Sequence, residues 1–293
     1  MLKSQRQKDL IFDSIIYAVL FIIMLTMLYP FYYVLIASFN KGSDSLLGGM
    51  YLWPRNFTLE NYRMFMDDPK WVKAFLVSVL RTVSGTLLGL LLTSIVAYGL
   101  SHRDLLFSKV YFTVIVFAMY FSGGLIPYYV VLRSLGLLNS FAVYIIPSML
   151  STFFLLIAIS FFREIPGELK ESAHIDGAGE LMIFFRIILP VSTPVLATMA
   201  LFMGVGQWNS WLDSAYFVQS EELRTLAFRM MEVINKSNSP MDSIAVANSA
   251  SAGVTSFSLQ VTSMVVSIIP IICVYPFLQK YFVSGIMLGS VKG

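Results

Sequence analysis

Side chains able to do chemistry are scarce in this chain. Its 293 residues include two histidines, His102 and His174, and one cysteine, Cys273. A catalytic nucleophile needs a base beside it, and no histidine lies near Cys273, so a buried, inert thiol is expected. A single cysteine excludes an internal disulfide framework or a cysteine-ligated zinc. No G-x-x-x-x-G-K-S/T run occurs, so the chain is not expected to hydrolyse nucleotide. Catalytic and metal-ligating residues are therefore read as none. What remains are groups that bind or transmit force. They are the polar and aromatic run Gln207-Trp208-Asn209, the tyrosines Tyr120 and Tyr128 around Gly123, Gly124 and Pro127, the isolated Arg81, and the charged stretch from Arg163 to Glu180.

The elements that position these groups follow from composition. The chain is 57% hydrophobic and only 13% charged, against roughly 25% charged in soluble domains. Such a chain cannot cover a globular surface with polar groups and belongs in a bilayer. A spanning helix needs about 20 apolar residues, and the gaps between charges give six spans: 14–38, 74–100, 110–131, 141–162, 188–212 and 257–280. No alternating segments of about ten residues suggest a membrane barrel. The expectation is one all-α integral membrane domain over 1–293, with outer loops at 39–73 and 213–256 and a cytoplasmic loop at 163–190.

The first apolar stretch follows Lys3, Arg6 and Lys8, yet it exceeds a secretory core of about 7–15 residues and lacks a small-residue cleavage site. It reads as an anchor. Basic residues set orientation. Arg103, Lys109, Arg163, Lys170, Arg186, Lys280 and Lys292 fall on the same side as the amino terminus, while the short opposite loop holds only Arg133. Both termini are expected to be cytoplasmic. With net charge +3 and no basic run, nucleic acid is not an expected partner.

Ionisable groups inside spans mark ion and proton pathways, and Arg81 is the one such group here. A proton-coupled carrier thus lacks its central part. Uphill transport would need energy from another polypeptide, which directs attention to the loop at 163–190. There Pro166-Gly167 interrupts the chain, Glu168 to Asp176 has helix-forming composition, Gly177 can supply a bend, and a second amphipathic segment runs to Pro190. Two short helices joined at a glycine would form a compact knob.

Within that loop, Glu171-Ser172-Ala173, Asp176-Gly177-Ala178, Phe184, Ile187 and Leu189-Pro190 resemble the EAA loop of ABC importer permeases, whose pattern is E-A-A-x-x-D-G-A followed by F-x-x-I-x-L-P. Ser172 departs from the pattern, standing where it has alanine. The tail from Gly285 to Gly293 and the segment Trp53-Pro54-Arg55-Asn56-Phe57-Thr58-Leu59-Glu60-Asn61-Tyr62 are similar to the second permease of maltose-type sugar importers, and within them to the branch handling complex or acidic oligosaccharides such as pectic or alginate fragments.

The resemblance implies a type I ABC importer permease in the inner membrane of a bacterial cell. Glu171, Ser172, Ala173, Asp176, Gly177, Ala178, Ile187, Leu189 and Pro190 would couple it to an ATPase. It implies a second, non-identical permease, two ATP-binding cassette subunits that hold the ATP and magnesium, an external solute-binding protein, and membrane lipid around the spans. No cofactor is expected in this chain. The loop at 213–256 would reach toward the binding protein. Sugars are held by aromatic faces and by amides or carboxylates on their hydroxyls, which makes Gln207, Trp208, Asn209, Tyr120, Tyr128 and Arg81 candidate pathway residues. For Arg81 the readings are a counter-ion for an acidic sugar or a side chain snorkelling to headgroups. The alternative for the whole chain is a self-sufficient secondary carrier or channel.

Overall fold

The computed structural model describes residues 2–237 and 254–290, with side chains for 10–235 and 254–277. Among the described residues the structure is helical, without a named strand; one isolated antiparallel bridge joins Asn40 to Phe57. Three helices are long and apolar enough to cross a bilayer, over Leu10–Ser38, Pro69–Ser101 and Ser256–Phe277, and three bent helix pairs bring the number to six if each is one span.

The bends fall where the sequence places helix breakers. Helix α1 (Leu2–Ser38) and the short α2 (Glu60–Asp67) precede α3 (Pro69–Ser101), which opens on a proline, where the missing N–H has no partner to lose. The span expected over 110–131 is broken into α4 (Ser108–Tyr120) and α5 (Leu125–Ser134), meeting at 113° where its glycines and proline could open the helix. Between them lies Phe121-Ser122-Gly123-Gly124, and Gly124 has φ +84°, which a side chain disfavours. Two 3-10 turns, Phe141–Tyr144 and Ile146–Ser148, lead at 43° into α6 (Thr152–Glu164).

Helix α7 (Gly167–Ile175) is followed by α8 (Glu180–Val191), which contains a π-helical turn over Phe184–Ile188. An 82° bend then leads into α9 (Thr193–Asn209). The apolar helix therefore begins after Ser192, flanked by Pro190 and Pro194, rather than at 188. Further along the chain come α10 (Leu212–Phe217), α11 (Leu226–Ser237) and α12 (Ser256–Ser290). Cys273 is exposed rather than buried among the described residues. The small-residue run at 245–253 lies outside the described residues, as do the side chains of the tail at 285–293.

The chain divides into two compact units. One comprises residues up to 68 together with 232–268. Its apolar centre is Ile36, Ala37, Met50 and Val261, and a polar hook sits beside it. Asn61 donates to Ser38 O and Asn40 O at 2.9 Å each, while Asn40 Oδ1 accepts from Asn56 N at 2.8 Å. Asn40 also donates to Asp44 Oδ2 at 3.0 Å, and this bond, with Arg55 beside it, holds the Asp44 carboxyl below the usual aspartate range. Asn56 and Asn61 of the Trp53–Tyr62 segment are thus the hydrogen-bonding glue of this hook.

The other unit comprises 69–231 and 269–293. Here α3 packs between α6 and α9 around a core that includes Tyr98, Leu155, Ile159, Phe162, Ile183, Phe184, Ile188 and Met199. The helices approach closely at Gly85, where an added Cβ would stand 2.9 Å from the Gln207 side chain.

Candidate functional site

The knob at 163–190 is built as two helices hinged at Gly177. Gly177 has φ +79°, Ala178 N donates to Ala173 O at 2.9 Å, and Gly177 N donates to His174 O at 3.0 Å. This pair of bonds is a Schellman motif, which closes a helix with a left-handed residue, usually glycine. The spacing from Ala173 to Ala178 therefore has a mechanical meaning: it ends α7 and turns the chain into α8. Ala173 is buried in the core shared with α3 and α6. Ser172 points to solvent and donates to Leu169 O at 3.2 Å, so its departure from alanine falls on the free face. Glu171 and Asp176 are exposed, Ala178, Ile187 and Leu189 are partly buried, and Pro190 is exposed just before the 82° bend. Ile175 stands out as an apolar side chain that is 86% exposed.

The knob is tied to α3 through Glu180, the first residue of α8. Tyr98 of α3 donates to Glu180 Oε2 at 2.5 Å. His102 Nε2 lies 3.6 Å from the same oxygen, and His174 Nε2 lies 3.3 Å from Oε1. The Tyr98 bond is the main influence holding the Glu180 carboxyl below the usual range, helped by His102, His174 and Lys170 against partial burial. The Lys170 ammonium sits 5.2 Å from the centre of the Tyr98 ring, and burial draws its pKa down while Glu180 opposes that. Arg163 of α6 donates to Leu100 O at 3.2 Å and stacks on Phe112 at 4.5 Å. None of Tyr98, Glu180 or His102 stands in the motif. No local spacing brings residues so far apart in sequence together.

A second cluster lies in the N-terminal half of α3. Arg81 is 3% exposed and is paired with Asp213 of α10 in a fork: Nη1 donates to Oδ1 at 3.0 Å and Nη2 to Oδ2. Its Nε donates to Gln207 Oε1 at 2.9 Å, Nη1 also donates to Ser210 O at 3.1 Å, and its guanidinium stacks on Tyr144 at 4.6 Å. Arg81 does not snorkel; burial and Asp213 hold it inside. The carboxylate it meets in this conformation belongs to the protein. Gln207 continues the network by donating to Ser148 Oγ at 2.7 Å.

The other candidate pathway residues are dispersed. Trp208 is buried edge-on against Phe75 at 5.9 Å, Asn209 is exposed at the end of α9, and Tyr120 is 79% exposed at the end of α4. Tyr128 lines a cleft of about 290 Å3 together with Tyr144, Ser148, Ser210, Asp213 and Tyr216. The arrangement offers aromatic faces, a neutralised carboxylate and hydroxyls. Among the described residues no cluster of His, Cys, Asp and Glu could hold a metal ion.

No family model matches the chain. Among curated proteins it is similar to the polygalacturonan/rhamnogalacturonan transport system permease protein YtcP of Bacillus subtilis (strain 168), with 37% identity over 286 residues, 98% of this chain and 100% of that one. It is also similar to the arabinooligosaccharides transport system permease protein AraQ of the same organism, with 28% identity over 94% of each chain. Among solved structures, a chain of a bacterial ABC transporter involved in the import of the acidic polysaccharide alginate superposes with a TM-score of 0.86 at 28% identity, over 94% of this chain and 98% of that one. With its helices, its candidate spans and these relatives, the chain belongs to the permease subunits of ABC sugar importers, membrane proteins that carry solute and leave ATP hydrolysis to another subunit.

Proposed function

We propose that this chain is one half of the translocation pathway for an oligosaccharide, and that it is driven through the knob at 163–190 by an ATPase subunit. Both termini and the knob face the cytoplasm, and the membrane is the inner membrane of a bacterial cell. The carrying observation is the knob's construction. A helix closed at Gly177 is fastened by Glu180 to the last turn of α3, whose N-terminal half carries the Arg81 cluster. A rigid lever joined to a long helix can pass a push at its end to a polar cluster several turns away along it.

Glu171, Ser172, Ala173, Asp176, Gly177 and Ala178, followed by Ile187, Leu189 and Pro190, form the coupling surface, with Ile175 as an added apolar contact. Two ATPase copies, a second permease and an external solute-binding protein complete the importer, with ATP and magnesium on the ATPases. The names of the relatives, one a polygalacturonan/rhamnogalacturonan system and one an acidic-polysaccharide importer, support an acidic oligosaccharide as substrate. Coupling requires the knob to meet two states of its partner with different affinity. Co-purification with the ATPase, then ATP hydrolysis stimulated by the loaded binding protein, tests this. Wild type co-purifies and responds; Gly177→Asp uncouples the two. A chain that transports with no ATPase would instead be a self-sufficient carrier.

A further inference from the structure

We propose that the cleft bounded by α5, the turns at 141–148 and α10 is a subsite for one pyranose ring of the transported oligosaccharide, and that it reads the ring face and hydroxyls while ignoring a uronate carboxylate. This rests on the sugar-permease reading and adds to it which feature of the sugar this half recognises.

The walls are aromatic. Tyr128, Tyr144 and Tyr216 line a space of about 290 Å3, near the lower end of the roughly 300–1,000 Å3 of small-molecule sites. The Tyr128 ring is held edge-on to Phe217 at 5.5 Å. Tyr128 and Tyr216 are the exposed rings, while Tyr144 is buried and backs the wall, held by its bond to Leu223 O at 2.7 Å and by Arg81 stacked over its ring. The rings are therefore set before a sugar arrives, which lowers the ordering cost of binding.

The polar groups left over suit hydroxyls. Asp213 Oδ1 already accepts from Arg81 Nη1, Ser210 Oγ and Ser214 N. Oδ2 accepts from Arg81 alone and keeps unused acceptor capacity on a residue that lines the cleft. Among the described residues the hydroxyls of Tyr128 and Tyr216 have no protein partner, so each can donate to or accept from a sugar. No Lys, Arg or His lines the cleft. Arg81 lies behind Tyr144 and Asp213 with its charge already met. A uronate carboxylate entering here would lose water and gain no cation, whereas ring C–H faces and hydroxyls gain partners.

The test uses the complete importer in detergent without its binding protein, so that only the membrane subunits are read. Saturation-transfer NMR is recorded with trigalacturonate and with its methyl-esterified form, which differ only at the carboxylates. In wild type both probes receive saturation on ring protons. Tyr128→Ala and Tyr216→Ala lower it for both, in the same proportion. Should an alanine variant fail to assemble, Tyr128→Phe and Tyr216→Phe keep the rings and lose only the free hydroxyls, weakening both probes by about threefold. Wild type binding neither probe, variants without effect, or variants that weaken the acid and spare the ester would each overturn the subsite. The permease reading fails separately, if ATP hydrolysis by the wild-type importer ignores its loaded binding protein.

Discussion

The Tyr98 hydroxyl donates to Glu180 Oε2 at 2.5 Å, tying the last turn of α3 to the first residue of α8. Two histidines and Lys170 surround the same carboxylate. Because the folded pKa of Glu180 is lowered, its contribution to stability is present above the ordinary value of 4.5 and is lost as pH falls through the lowered one. Glu180→Gln should melt below wild type at pH 7, and the two melting curves should converge under acid conditions below pH 4.5. A gap that persists in acid would mean the carboxylate charge is not what fastens the knob.

Gly177 holds a left-handed backbone at φ +79°. Side chains with a Cβ resist that region by about 1–2 kcal/mol, and asparagine visits it more readily than most. Coupled transport should therefore fall in the order glycine, asparagine, alanine, valine at this position. Uptake per ATP hydrolysed is the measurement, and equal ratios for Gly177→Asn and Gly177→Val would contradict it.

Neighbouring residues of the motif should differ sharply. Ala173 is buried against the core, whereas Ser172 faces solvent. Overpacking a filled core costs about 1–3 kcal/mol, so Ala173→Leu should destabilise the chain. Ser172→Ala should stay within about 0.5 kcal/mol of wild type. Thermal unfolding of the purified importer distinguishes the two.

Arg81→Met leaves the Asp213 carboxylate without its partner. Breaking a buried pair from one side costs about 3–5 kcal/mol, and the lower end applies because Asp213 retains 21% side-chain exposure. Adding Asp213→Asn should restore part of the lost stability, since the stranded charge is then gone. A double variant no better than the single one would show that Arg81 acts mainly through Tyr144 and Gln207.

In the other unit, Asn61 bridges two carbonyls, Ser38 O and Asn40 O. Asn61→Ala strands both in a buried setting, at about 1–3 kcal/mol. Protease cleavage between residues 39 and 60 should become faster, while an exposed control such as Glu60→Ala leaves it unchanged.

What the sequence disclosed follows from how local each feature is. The Schellman closure lies within residues 173–178, so its residue types could be read in order. Gly123-Gly124 and Pro190 could be read as places where helices break, though nothing local set angles of 113° and 82°. Arg81 and Asp213 are 132 positions apart, and no periodicity links a residue in mid-helix to one just beyond a later helix. Glu180 was visible as a charge at the end of the loop, but its partners at 98, 102 and 174 meet only when α3 and α7 pack. Tyr144 and Ser148 sit in a segment read as plain span, whose 3-10 turns place them along the wall of the cleft.

The most direct measurement is solute accumulation in vesicles, comparing the chain alone with the complete importer supplied with ATP and its loaded binding protein. A gate moved from the knob predicts accumulation only with the ATPase present, and none when Gly177→Asp replaces wild type. Accumulation against a gradient by the chain alone would contradict it.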